Sequence, residues 1–397
     1  MKILELVFFV IVGIIAYSYI LYGLVLYAVS RLVKSRKGGY PSVEEDKLPN
    51  ITLFVAAYNE KDFCELKIRN SLSLDYPANK LTHLWVTDGS DDGTPEIIKQ
   101  KFHQITLLHE DKRSGKIGAV NRGMLFVKTP IVIFCDANTY LNPESLREIV
   151  KYFVNDPKVG CVAGEKKIFT QEKDQASGAG EGIYWKYESF IKRTESKLGS
   201  TLGAAGELFA IRTELFEPVE KDTILDDFTI SLRIAKRGYK IKYAPEAYAQ
   251  ESSSADVKEE LKRKTRIASG GLQSTIRLAG LLNPFKHPEI SFKFLSHKIL
   301  RWFAVPLCFI AAFAINAVLI TQETALNIYT GLFVCQSLFY ALAILGFILE
   351  KKKIRLKILF VPYYILMMNY AAIAGTIRYM KGNQSVNWVR ARRQVID

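Results

Sequence analysis

The chain is poor in the residues that metal and redox chemistry favour. Its five cysteines, Cys64, Cys135, Cys161, Cys308 and Cys335, stand far apart and form no C-x-x-C pair, so neither a zinc site nor a disulfide framework is expected. Five histidines give no metal triplet and no nucleophile triad. His83, His103 and His109 lie around expected strands and His287 and His297 near an expected membrane interface, where ordinary core or surface roles suffice. A complete G-x-x-x-x-G-K-[ST] loop is absent, which excludes a Walker-type phosphate cradle. There is no internal repeat and no low-complexity tract. Acid is scarce as well: 40 Asp and Glu against 54 Lys and Arg leave a net charge of +14. That balance suits a neighbour of anionic lipid or a handler of phosphorylated substrates. Nucleic acid has the same footprint and is set aside, because much of the basic charge flanks apolar spans.

Long apolar runs are what the chain has instead. With 397 residues, 49% of them apolar and 24% charged, it can hold one large soluble domain plus membrane segments. The run from Ile3 to Val29 exceeds the roughly 20 residues a bilayer needs. It is too long for a signal-peptide core, and no small-residue cleavage site precedes the basic stretch Arg31 to Lys37. Residues 1–30 are therefore expected to be an uncleaved anchor with its basic flank in the cytoplasm, followed by a linker over 31–50. Towards the other end, Leu278 to Lys298 reads as an interfacial segment. Three spans are expected after it, at Ile299 to Ile320, Ala325 to Leu349 and Leu356 to Ile377, within a membrane region over 299–380. Three full crossings would leave the basic tail 381–397 outside, against the positive-inside rule, so either the last segment is not a simple span or the number of crossings differs by one.

Between the apolar ends, 51–255 alternates buried strands with polar loops. Ile51 to Ala57 leads through Tyr58-Asn59-Glu60 into a helix over Lys61 to Leu74. Leu81 to Thr87 leads through Asp88-Gly89-Ser90-Asp91-Asp92-Gly93-Thr94-Pro95 into a helix over Glu96 to Lys101. Ile105 to Leu108 and Ile131 to Phe134 follow as strands. This βαβ pattern predicts an α/β nucleotide-binding sheet, with ligands at the carboxyl ends of its strands. Asp136, closing a β-branched apolar run, is delivered to that edge, where it can hold a metal and phosphate or merely cap a helix. Asp88 and its glycines can meet a ribose or base, or sit in a solvated cap. The basic loop Lys112 to Gly123, with Lys116 near a helix start, can neutralise a diphosphate. A basic helix over Lys258 to Gly271 opens a region of basic and interfacial helices, 256–298.

Six segments in order resemble family 2 glycosyltransferases of the GT-A fold, and cover about Ile51 to Gln273. They are Ala57-Tyr58-Asn59-Glu60, Val86 to Thr94, Gly115 to Asn121, Asp136-Ala137-Asn138, Gly203 to Arg212, and Leu225 to Arg233 followed by Gly238-Tyr239. The membrane flanks resemble those of the cellulose, hyaluronan and poly-N-acetylglucosamine synthases. The resemblance implies an α/β, GT-A nucleotide-sugar-binding domain with one N-terminal and about three C-terminal transmembrane helices plus interfacial helices. It implies an inverting transfer of sugar from a nucleotide-diphosphate donor, UDP-linked, to a cell-surface or extracellular glycan.

By the same resemblance Asp227 is the general base. Ala57, Glu60, Asp88, Lys116, Asp136 and Arg266 meet the donor, and Gly206 and Asp226 the acceptor. Asp136 and Asn138 hold Mg2+ or Mn2+. Expected partners are the bilayer, a glycan or lipid-linked acceptor, and an export partner or second copy, with no nucleic acid. The expected place is a bacterial inner membrane, with the catalytic domain in the cytoplasm.

Three positions depart from the family pattern. Asn138 stands where the D-x-D motif ends in a carboxylate, Thr87 replaces the first acid of D-D-G-S, and Ile267 replaces the tryptophan of Q-x-x-R-W. They keep two other readings open: addition of a single sugar to a lipid-linked acceptor, and a catalytically silent nucleotide-sugar-binding scaffold.

Overall fold

The computed structural model describes residues 2–33, 39–169, 177–252, 257–321, 327–352 and 357–382. The N-terminal apolar run forms α1 (Lys2–Ala16) and α2 (Tyr22–Leu32), joined by a π-helical turn over Tyr17–Leu21. The next elements are β1 (Ile51–Ala57), α3 (Lys61–Leu72), β2 (Leu81–Asp88), α4 (Thr94–Lys101), β3 (Thr106–Glu110), α5 (Gly115–Met124) and β4 (Ile131–Asp136). A second run adds β5 (Tyr140–Leu141), α6 (Ser145–Asn155), β6 (Val159–Phe169), α7 (Ser177–Lys197), β7 (Leu208–Arg212), α8 (Asp226–Lys236) and β8 (Lys240–Ser252).

Among the described residues, eight strands form one mixed sheet in the order β3-β2-β1-β4-β7-β6-β8-β5. Its first four strands are parallel, as the βαβ pattern predicts. The sequence pattern shows only those four and understates the sheet. β7 runs antiparallel to β4 with Phe209 opposite Phe134, and carries the sheet on to β6 and β8. β8 escapes pattern reading because it contains Pro245. That residue lies where the β6 pairing jumps from Ala244 to Tyr248, so the missing N–H falls in a bulge and costs no ladder bond.

Both faces of the sheet are covered, which is why its central strands are continuously apolar. Leu53, Val55, Trp85 and Ile133 pack with Ile68, Ile98 and Ile149 on one side. Phe54, Val86, Val132 and Phe134 pack with Ile117, Phe228, Leu281 and Phe294 on the other. α5 lies so close to the sheet that a Cβ on Gly123 would stand 2.4 Å from the Phe54 ring.

The chain continues through α9 (Val257–Arg277), α10 (Pro288–Lys293), α11 (Val305–Thr321), α12 (Ile328–Lys351) and α13 (Lys357–Met380). Among the described residues, four helices are long and apolar enough to cross a membrane: Lys2–Leu32, Pro288–Thr321, Ile328–Lys351 and Leu359–Met380. The interfacial segment expected to end at Lys298 is not separate from the span after it. α10 runs through a π-helical stretch, Phe294–Ala304, directly into α11. α9 packs along α13: Ser269 Oγ donates to the Gly375 carbonyl at 2.7 Å, and a Cβ on Gly375 would lie 2.6 Å from the Thr265 carbonyl oxygen. The basic tail with Arg390, Arg392 and Arg393 lies outside the described residues.

A buried charge node ties the spans to the sheet domain. Glu195 Oε1 accepts from the Tyr22 hydroxyl (2.6 Å) and faces His297 Nδ1 (2.8 Å), while Oε2 accepts the Leu202 N–H (3.0 Å). The other ring nitrogen of His297 faces Glu188 at 2.9 Å, and Glu188 also takes Lys298 (2.6 Å) and Arg301 (3.1 Å). One cluster thus joins the N-terminal helix, α7, the π-helical stretch and the loop that leads to β7.

Candidate active site

The carboxyl ends of β1 and β2 are side by side, Ala57 opposite Thr87, and their loops are laced together. Asn59, at φ 53°, donates its backbone N–H to Ser90 Oγ (3.1 Å) and its amide to Asp91 Oδ1 (2.8 Å), and accepts the Asp91 N–H at 3.0 Å. Asp92 accepts the N–H groups of Lys61 and Thr94, both at 3.0 Å. Burial works to raise Asp92, but bonds from Thr94 and Lys61 win and keep it below the ordinary carboxylate range. Two acids of this loop therefore serve its own shape. Ala57 and Glu60 flank it as buried residues, and the Glu60 N–H donates to Thr94 Oγ1 at 3.0 Å. The Arg113 guanidinium lies 3.6 Å over the Tyr58 ring at the mouth.

Asp88 is buried and fully engaged. Oδ2 accepts the N–H groups of Ser114 and Gly115, each at 2.7 Å, and Oδ1 accepts from Arg122 at 3.1 Å. Its carboxylate fastens the first turn of α5 and so sets the start of the helix that carries Lys116. Arg122 was not foreseen; an arginine six residues after Lys116 on a short helix was the available signal. Thr87, where the family pattern has an acid, is fully buried, and its hydroxyl bonds His109 Nδ1 (2.8 Å) on the neighbouring strand.

From α5, Lys116 Nζ donates to Asp136 Oδ1 at the end of β4 (3.0 Å) and lies 3.5 Å from Asp226 Oδ2. α8 begins at Asp226, so Asp226 and Asp227 both occupy its first turn, where the helix dipole favours negative charge. A Cβ placed on Gly206 would stand 3.4 Å from both Asp227 Oδ2 and Lys116 Nζ. Three carboxylates thus face one ammonium across a glycine.

The electrostatics follow from that count. Burial first and the Asp226 charge second push Asp227 up to about 7, with Lys116 pulling the other way. Burial also raises Asp136 against the pull of Lys116. Burial works to lower Lys116, but Asp136, Asp226 and Asp227 outweigh it, and the group stays a permanent ammonium. Arg266 on α9 is lowered by burial while Asp226, Asp227 and Asp136 oppose the shift, so its guanidinium lies in the field of the same three acids.

Asn138 follows Asp136 in a turn closed by the Thr139 N–H (3.4 Å) and hydroxyl (2.9 Å), both donating to the Asp136 carbonyl. Its amide oxygen and the Asp136 carboxylate are hard donors that suit Mg2+ or Mn2+ when a ligand supplies the remaining oxygens. Among the described residues no group of three or more His, Cys, Asp or Glu could hold an ion unaided.

The structure therefore gathers Lys116, Asp136, Gly206, Asp226, Asp227 and Arg266. Asp88 lies behind Lys116 at the base of the same helix, and Ala57 and Glu60 border the adjacent loop. A group of ion pairs next to Gly206 went unread in the sequence: Lys166 of β6 pairs with Glu207 (2.6 Å) and Glu251, and Arg263 lies 4.0 and 3.8 Å from the same two acids. An acid directly after Gly206 was the visible clue to it.

Residues 49–270 match the family model described as glycosyltransferase like family 2. The chain belongs to that family. Among curated proteins, this glycosyltransferase is 27% identical over 267 residues to the poly-beta-1,6-N-acetyl-D-glucosamine synthase of Staphylococcus aureus strain MSSA476, covering 65% of the chain and 63% of that protein. It is 25% identical over 285 residues to the synthase of the same name from Staphylococcus epidermidis, covering 69% of the chain and 67% of that protein. The chain thus matches just under two thirds of the length of the first of these relatives. Among solved structures, the mannosyltransferase PcManGT from Pyrobaculum calidifontis, in complex with GDP-Man and Mn2+, superposes with a TM-score of 0.72 at 21% identity, over 96% of this chain and 100% of that one. The glycosyltransferase shares its GT-A fold.

Proposed function

We propose that this glycosyltransferase transfers a sugar, with inversion, from a UDP-linked donor to a growing cell-surface glycan, working from the cytoplasmic side of the membrane. The observation that carries this reading is Asp227, a carboxyl pushed up to about 7 beside a glycine and a permanent ammonium. A base is most useful when its pKa lies near the working pH.

In the proposed reaction an acceptor hydroxyl enters over Gly206 and gives its proton to Asp227. Its oxygen bonds the anomeric carbon as the bond from that carbon to the diphosphate oxygen breaks. The diphosphate leaves with the electron pair, towards Lys116 and Arg266. Arg266 suits this role because its planar fork matches phosphate geometry. Asp136 and Asn138 would hold Mg2+ or Mn2+, which supplies positive charge for the departing diphosphate. Asp88 acts through α5 by fixing where Lys116 points. The glycosyltransferase family, the synthases among the relatives and the four membrane-length helices support this reading.

Ile267 supports a second reading, addition of one sugar to a lipid-linked acceptor, because α9 lacks the aromatic platform of processive relatives. Incubating the purified protein with several nucleotide sugars and Mn2+, with product mass as readout, tests both. Long products from single encounters support polymerisation, and single additions support the second reading. Failure to consume any nucleotide sugar would refute transfer and leave a binding scaffold.

A further inference from the structure

The last of the membrane-length helices, α13, is placed unlike the one before it. Of α12 only Ala343 and Gly346 are buried, and Val334, Leu338, Ile344 and Phe347 are exposed along its length, as contact with lipid tails requires. α13 buries Phe360, Tyr364, Met367, Asn369, Ala372 and Gly375, and of its described side chains only Tyr370, Ile377 and Met380 are exposed. It is also the least apolar of the four.

What covers α13 belongs largely to the sheet domain. Near its start, Phe360 and Tyr364 cluster with Leu261 of α9 and Tyr184 of α7. In its middle, the Asn369 amide donates to the Tyr19 hydroxyl at 3.0 Å, within the π-helical turn whose Ser18 carbonyl accepts from Arg301 at 3.3 Å. Arg301 also holds Glu188 of α7, so that turn stands at the level of the buried charge node. Near its end, a Cβ on Gly375 would lie 2.6 Å from the Ala268 Cβ of α9.

α9 cannot itself lie in hydrocarbon. It carries seven charged side chains between Lys258 and Arg266, and charges avoid the bilayer centre. Its second half is bound to the sheet domain as well: a Cβ on Gly270 would stand 2.8 Å from Ile224 and from Leu225, and Gln273 donates to the Asp222 carbonyl at 2.8 Å. From Phe360 to Gly375 an α-helix advances roughly 22 Å. A crossing helix would have passed through most of the roughly 30 Å hydrocarbon core over that length. Both ends of this stretch instead touch α9, and Asn369 between them touches the layer of the charge node.

We propose that α13 does not cross the bilayer but lies along the membrane-facing side of the sheet domain, so that the chain crosses three times and residue 382 emerges on the side that holds the catalytic domain. Only the edge formed by Tyr370, Ile377 and Met380 is left to the lipid surface. Lys351 and Lys352 before the helix and Arg378 and Lys381 after it then share one face of the membrane, where bases meet anionic headgroups. With the catalytic domain in the cytoplasm, as proposed above, the basic residues 381–397 agree with the positive-inside rule. α9, and Arg266 with it, is held between the acids of the active site and α13.

Single added cysteines in the full chain test this placement: Lys99→Cys on α4, Thr324→Cys between α11 and α12, Lys352→Cys between α12 and α13, and Ser385→Cys in the tail. Sealed membrane vesicles of both orientations are treated with a membrane-impermeant maleimide. The wild type supplies the blank, since Cys64, Cys135 and Cys161 are buried and Cys308 and Cys335 lie on α11 and α12. Lys99→Cys, Lys352→Cys and Ser385→Cys should react in one orientation and lose that reaction in the other, with Thr324→Cys showing the reverse. Ser385→Cys reacting together with Thr324→Cys would mean that α13 crosses and would overturn the proposal. So would Lys352→Cys reacting together with Thr324→Cys, or no reaction of Ser385→Cys in the orientation that exposes Lys99→Cys. The labelling needs no donor turnover, so its outcome is separate from that of the transferase reading.

Discussion

Two acid clusters in this glycosyltransferase are balanced in opposite ways. Around Lys116, three carboxylates share one ammonium, and burial pushes Asp227 up to about 7. Around His297, two carboxylates meet His297, Lys298 and Arg301 together with the Tyr22 hydroxyl. Burial works to raise those two acids as well. Lys298, His297 and Arg301 overcome it at Glu188, which lies well below the ordinary range, and His297 and Lys293 bring Glu195 down to about 2. All are carboxyls that burial works to raise, so the balance of neighbouring charges decides the outcome. A carboxyl short of cations is ready to take a proton, whereas carboxylates surrounded by cations bind helices together.

Breaking each cluster should have a different consequence. Asp227→Asn keeps the shape and removes the proton acceptor, so sugar transfer should fall about 10²- to 10⁴-fold while nucleotide affinity, measured by calorimetry, stays within twofold. Retained turnover would remove Asp227 as base. Glu188→Ala strands His297, Lys298 and Arg301 in a buried site, and should cost about 3–5 kcal/mol of stability, read as a lowered unfolding midpoint in detergent. An unchanged midpoint would mean that the node does not hold the spans to the sheet domain.

The clusters should also respond to pH with opposite signs. Asp227 titrates higher in the folded chain than the ordinary value of about 3.9, so its contribution favours the fold at low pH and is lost as pH rises through about 7. Glu195 titrates lower than the ordinary value of about 4.3, so its contribution is present above that value and is lost as pH falls through about 2. Between pH 5 and 7.5 only the first changes. The unfolding midpoint should decline across that window, transfer should accelerate, and Asp227→Asn should flatten the decline. The mildest change is Gly206→Ala. Its added Cβ meets Asp227 and Lys116 at an ordinary contact distance of 3.4 Å, so the unfolding midpoint should hold while the acceptor KM rises severalfold. A falling midpoint with an unchanged KM would assign Gly206 to packing alone.

The parallel half of the fold was legible because each of its strands carries an apolar stretch that leads into a polar loop. β4 ends at Asp136, where the sequence places it, and Lys116 enters its helix as expected. The antiparallel half carried no such mark: β8 is interrupted by Pro245, and β5 has only two residues. Chemistry that depends on distant pairing was also hidden. Glu195 meets Tyr22 across 173 positions and His297 across 102, distances over which no spacing rule operates. Asp88 shows a subtler limit. Its place at the end of β2 is readable, but its partners are the N–H groups of Ser114 and Gly115 and the Arg122 guanidinium, 26 to 34 positions further on, a separation that no local pattern marks.

The central claim is that Asp227 holds a proton below neutral pH and gives it up near neutrality. Infrared difference spectra of the wild type against Asp227→Asn, recorded from pH 5 to 9, follow that carboxyl directly. A protonated carboxyl band that disappears with a midpoint near 7 is the expected result. A carboxylate already fully ionised at pH 5 would contradict it.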